Sequence, residues 1–116
     1  MTIYGVSQSS GQQRRLRVER GGEGVVLTLL DHPAGAERDR ILVPPDGLLA
    51  AITGRAPGGA TVEGRSPPHG ARKLLDVEVR RNEVLLRVHD GAGGGCDVAV
   101  GLDDFQDALE GVIAAG

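Results

Sequence analysis

The chain has 116 residues, 40% of them hydrophobic, and a formal net charge of −3. That length suits one compact domain, and the acidic balance sets it apart from duplex-DNA proteins, which bind through overall positive charge. A single cysteine, Cys96, excludes an intrachain disulfide framework and a cysteine-rich metal site, and no apolar run reaches the ~18 residues of a membrane-spanning helix.

In chain order, Thr2–Ser7 reads as a short strand and Ser9–Gly11 as a turn. Arg14–Arg20 alternates, with Leu16 and Val18 on one side and Arg15, Arg17 and Glu19 on the other, the period of a half-buried strand. Gly21–Gly24 closes a hairpin into Val25–Leu30, which is apolar on both faces except at Thr28. Such a run is either a central strand or one whose outer face meets another chain. His32–Glu37 is a loop and Arg40–Val43 the fourth strand. Asp46 then caps a helix over Gly47–Thr53 with Leu48, Leu49 and Ile52 as its buried stripe, and Arg55–Gly59 is a linker.

The same grammar follows again. Strands are expected at Thr61–Arg65, Arg72–Arg80, Glu83–His89 and Cys96–Val100, with a loop at Ser66–Gly70, a turn at Arg81-Asn82 and a loop at Gly91–Gly95. Asp103 or Asp104 caps a last helix to Ala114, striped by Phe105, Leu109 and Val112. Slid by 59 positions, Ile3–Asp31 falls on Val62–Asp90 with nine identities in 29 pairs, among them Gly5/Gly64, Leu16/Leu75, Val18/Val77 and Leu27/Leu86. The expected fold is therefore α+β: tandem strand-strand-strand-strand-helix repeats over about 2–55 and 60–115 in one domain, 1–116. They form curved antiparallel sheets, a helix packed on each, about a pseudo-twofold axis.

Arg14-Arg15 and Arg72-Lys73 lead alternating strands, Val79-Arg80-Arg81-Asn82 turns the chain, and Arg38-Asp39-Arg40 leads an apolar strand toward a helix. On these motifs the chain resembles the Pur-alpha family of single-stranded nucleic-acid-binding proteins, and the Whirly proteins that share that fold. The resemblance implies single-stranded DNA or RNA binding, without catalysis, through Arg-bearing outer sheet faces. The residues it points to are Arg15, Arg17, Lys73, Arg80, Arg81, Asn82 and Arg87. The family usually carries Phe or Tyr in these strands, where this chain has Leu and Val. The alternative reading is a non-enzymatic protein-interaction module of the same fold.

Other chemistry finds little footing. His32, His69 and His89 show no metal-ligand spacing, Cys96 opens an apolar strand as a buried thiol would, and Gly91–Gly95 lacks the Lys-Ser/Thr ending of a phosphate loop. No enzyme activity, cofactor or metal is expected. The chain lacks a signal-peptide pattern, so the expected compartment is the cytoplasm. The apolar outer phase of Val25–Leu30, with Leu85, predicts a twofold homodimer through that strand.

Overall fold

The computed structural model describes residues 1–22, 24–54, 58–67, 70–91 and 95–114. Parts of the Gly21–Gly24, Arg55–Gly59, Ser66–Gly70 and Gly91–Gly95 segments, with Arg55 and His69, lie outside the described residues. The elements are β1 (Thr2–Val6), β2 (Gln13–Gly21), β3 (Gly24–Asp31), β4 (Glu37–Val43), α1 (Pro45–Gly54), β5 (Ala60–Ser66), β6 (Ala71–Arg80), β7 (Glu83–His89), β8 (Cys96–Gly101) and α2 (Leu102–Ala114). Each strand pairs antiparallel with the next, and β8 returns to β1, so the sheet is one closed eight-stranded barrel.

Closure overturns the expected α+β fold of curved sheets, each packed by its own helix. A sheet of eight strands, each antiparallel to the next, with a small-aliphatic inner phase can roll up until its edges meet, which removes both edges. An eight-stranded barrel has just enough room for side chains. Here Leu16, Val18, Leu27, Leu29, Ile41, Leu75, Val77, Leu86 and Val98, all nearly inaccessible, fill it together with residues of both helices as one core. At ~25 cal/mol per Å² of apolar surface removed from water, this common core is the main stabilising contribution, and neither half has it alone.

The two halves pair in the same register. Ile3 faces Leu16 as Val62 faces Leu75, and Val18 faces Leu27 as Val77 faces Leu86. The ladders also meet at two thin seams, each with one register pair: Val6 with Ala99 between β1 and β8, and Leu42 with Arg65 between β4 and β5. Both seams need glycine. A Cβ on Gly5 would sit 2.2 Å from the Ala99 carbonyl oxygen, and one on Gly64 would sit 2.4 Å from that of Leu42.

Both helices follow strands that end at the same mouth of the barrel. Each begins earlier than its acidic residues suggest: Pro45 occupies the first turn of α1 while the Pro44 carbonyl accepts from Leu48 N–H, and α2 opens at Leu102. Asp46, Asp103 and Asp104 thus lie inside the first turns, where the helix dipole favours them. Leu48 and Ile52 of α1, and Phe105, Ala108 and Leu109 of α2, point into the core. The opposite mouth is polar. Arg14, only 8% exposed, donates from Nη1 to the Asp97 carbonyl at 2.6 Å, and Lys73, 59 positions on, donates to the Arg40 carbonyl at 3.3 Å and to the Asp39 carboxylate.

The apolar outer surface expected on β3 is largely covered within the single chain. Thr28 and Leu30 face outward yet are only 3% and 6% exposed. Their register neighbours are Arg15, Arg17, Arg40 and Glu37, long side chains that flank them on the outer face. The premise for a twofold dimer through Val25–Leu30 with Leu85 is therefore reduced to the half-buried Val26 and Leu85.

Candidate nucleic-acid interface

The β1–β8 seam is joined at one end and open at the other. At the joined end Asp97 binds the turn that follows β1. Its Oδ1 accepts from Ser7 Oγ at 2.8 Å and Ser9 Oγ at 2.6 Å, and its Oδ2 from the backbone N–H of Gln8 at 2.8 Å and of Ser9 at 3.1 Å. Burial alone would raise the Asp97 pKa, but the Ser9 and Ser7 hydroxyls and these two amides outweigh it and hold the carboxyl below its ordinary value. Away from Val6 and Ala99 the strands part, and Tyr4 stands on the outward phase of β1 beside the gap, 63% exposed.

A groove of about 560 Å³ opens there between Tyr4, the β6–β7 turn at Arg80–Glu83, and the end of β8 at Ala99–Gly101. Beyond Tyr4 a second hollow, lined by Gln13, Arg14 and His32, continues it, and the Tyr4 ring meets His32 edge-on at 5.1 Å. One wall is a tight turn in which Arg81 adopts φ 53°, a left-handed conformation that costs a non-glycine residue about 1 kcal/mol. The residue 59 positions earlier, Gly22, has φ 59° and meets the same demand without a side chain. Leu102 N–H of α2 donates to the Asn82 carbonyl at 2.7 Å, which ties this turn to the helix. Arg80 is bonded to Glu78, which raises its pKa, whereas Arg81 has no ion pair or side-chain hydrogen bond among the described residues.

The residues singled out from sequence do not form one patch. Arg80, Arg81 and Asn82 stand together beside Tyr4. Arg15 pairs in register with Tyr4 but reaches the other way, so that a Cβ on Gly35 would meet its Nη2 at 2.7 Å. Arg17 lies farther along the outer face of β2, near Glu19. Arg87 lies on the far wall, between Asp76 and Asp97 in the ladder. Lys73 is on the inward phase, half-buried at the polar mouth.

Neither Tyr4 nor His32 is among the residues to which the sequence points for nucleic acid. The signal was present: Ile3 is the inward residue of its strand, and position 63, the counterpart of Tyr4, is a glutamate, so position 4 faces water in both halves. The other histidine described is occupied elsewhere: His89 Nδ1 accepts from Gly91 N–H at 3.1 Å, and its Nε2 lies 3.0 Å from Asp76, off the hydrogen-bonding direction. Among the described residues no three His, Cys, Asp or Glu side chains converge as metal ligands. Cys96 is buried, which pushes its thiol pKa up.

No family model, curated protein or solved structure matches the chain. The resemblance to the Pur-alpha and Whirly families rests on the motif residues alone. No helix among the described residues is long and apolar enough to cross a membrane.

Proposed function

We propose that the chain binds single-stranded DNA or RNA, without catalysis, in the groove over the β1–β8 seam. The observation that carries this reading is the exposed Tyr4 ring set beside Arg80, Arg81 and Asn82. An unstacked base gains about 1–3 kcal/mol from an aromatic platform. The Arg81 guanidinium, unpaired among the described residues, supplies a phosphate contact, and the Asn82 amide both donates and accepts at a base edge. The strained Arg81 backbone adds support, because such strain persists where a side chain is needed at that point. One ring and two arginines make a short site, suited to a few nucleotides rather than a long track.

The test is fluorescence anisotropy with labelled single-stranded oligonucleotides between about 50 and 200 mM salt, where phosphate contacts make log affinity fall with log salt. Tyr4→Ala is expected to weaken binding about 10-fold. Arg80→Glu with Arg81→Glu is expected to abolish it, while Glu63→Ala on the other seam leaves it unchanged. An absence of binding at tens of micromolar protein and about 50 mM salt would overturn the reading.

A further inference from the structure

Two walls on opposite sides of the barrel carry matched rows of opposite charge. On the outer face of β2–β3–β4 the ladder sets Arg17, Thr28 and Arg40 side by side. On β6–β7–β8 the same ladder positions hold Asp76, Arg87 and Asp97. The outer members of each row are two strand spacings apart, about 9.5 Å, so the fold itself makes the rows commensurate. The neighbouring rows are Glu19, Val26, Leu42 on the first wall and Glu78, Leu85, Ala99 on the second.

The second wall is recessed. Gly58 and Gly59 run beside it and leave a groove of about 330 Å³ lined by Gly59, Thr61, Asp76, Glu78, Leu85 and Arg87. Leu85 offers an apolar surface for an arginine stem, and the Asp76 carboxylate, 42% exposed and accepting from Thr61 Oγ1 at 2.9 Å, keeps further lone pairs where the guanidinium would arrive. Asp97 is committed to Ser7 and Ser9 and adds only its field. On the first wall Arg40 uses Nε and Nη2 on Glu37, which leaves Nη1, and among the described residues Arg17 has only a 4.0 Å contact with Glu19.

From this complementarity we infer that the chain associates with itself head to tail, the Arg17/Arg40 row of one copy seated in the Asp76/Glu78 groove of the next. With one copy turned about the strand axis, Arg40 meets Asp76, Arg17 meets Asp97, Val26 meets Leu85, and no like charges are opposed. Donor and acceptor walls lie on opposite sides of each copy, so the contact is heterologous and does not close as a twofold pair. It leaves the Tyr4 groove open and does not depend on the nucleic-acid reading; the one residue linking the two is Glu78, which also holds Arg80.

Sedimentation velocity on nucleic-acid-free protein at ~100 µM tests it, at about 20 mM and about 500 mM salt, because exposed charge pairs are screened at the higher value. At low salt the sedimentation coefficient is expected to rise with concentration, and at high salt to fall to the monomer value. Arg17→Gln with Arg40→Gln, and separately Asp76→Asn with Glu78→Gln, should each be monomeric. Their mixture should form dimers and nothing larger, since each lacks a different wall. A monomeric wild type at low salt, a monomeric mixture, or self-association by either variant alone would overturn the inference. Circular dichroism checks folding, and Arg40→Gln alone, which removes the partner of Asp76 and is expected to be monomeric, tests the same contact if Asp76 proves structurally necessary.

Discussion

At the β4–β5 seam, Leu42 faces Arg65 and Gly64 lies against the Leu42 carbonyl; at the β1–β8 seam, Ala99 faces Val6 and Gly5 lies against the Ala99 carbonyl. The flanking side chains match as well. Val98 and Val100 crowd the Cβ direction of Gly5, as Ile41 and Val43 crowd that of Gly64. The side chains outside the seams differ entirely. Tyr4 stands where the other seam has Glu63, Arg80 and Arg81 stand where it has Gly21 and Gly22, and Asp97 stands where it has Arg40. Closure is a backbone matter solved the same way twice by glycine. It leaves the outward positions free, and only one seam has acquired a ring, two guanidinium groups and a strained turn.

The largest effect should come from the shared part. Gly5→Ala and Gly64→Ala each drive a methyl into a backbone carbonyl, and each is expected to lower unfolding free energy by about 2–3 kcal/mol in urea titrations. The comparison breaks if one is tolerated and the other is not.

Next comes the part that differs. Asp97→Ala removes four hydrogen bonds and one carboxylate beside the buried Arg14, an expected loss of about 2–4 kcal/mol. Arg40→Ala, its counterpart, loses a surface pair with Glu37 and is expected to leave stability almost unchanged. The Asp97 contribution also carries a pH signature. Its folded pKa is depressed, so its stabilisation is complete above the ordinary carboxylate value of 3.8 and disappears as pH falls through the lower folded value. Melting temperatures taken from pH 7 down to about pH 3 should fall less steeply in Asp97→Asn than in the wild type. Equal slopes would assign the acid sensitivity to other carboxylates, such as Asp31, whose pKa is lowered first by its hydrogen bond to Arg38.

The smallest effect sharpens the comparison most. Arg81→Gly relieves a left-handed arginine and is expected to stabilise the fold by about 0.5–1 kcal/mol while weakening oligonucleotide binding. Gly22→Arg should do the reverse to stability, by a similar amount, without creating a site, because no tyrosine stands beside it. Arg81→Gly that leaves both stability and binding unchanged would remove the functional meaning of the strained turn.

Strand phase was legible from the residues because a strand's period of two is local: Leu16 and Val18 point in, and Arg15 and Arg17 point out. The hairpin at Arg81-Asn82 and the glycines at 5 and 64 could be located from sequence as well. Grouping the seven basic and polar candidates could not be done this way. Lys73 shares the inward phase of Leu75, and a cation there becomes a plug only once Asp39 and the Arg40 carbonyl are brought to it across the β4–β5 seam. Tyr4 gains its neighbours Arg80–Asn82 across more than 70 residues of chain, through a contact that exists only when β8 returns to β1. By itself, then, the sequence determined which residues alternate and where the chain turns. Those are properties of neighbouring residues and backbone sterics. The tertiary structure alone decided that the sheet closes into a barrel and which outward side chains share a groove. Both depend on strand edges far apart in the chain meeting, and no local preference encodes that.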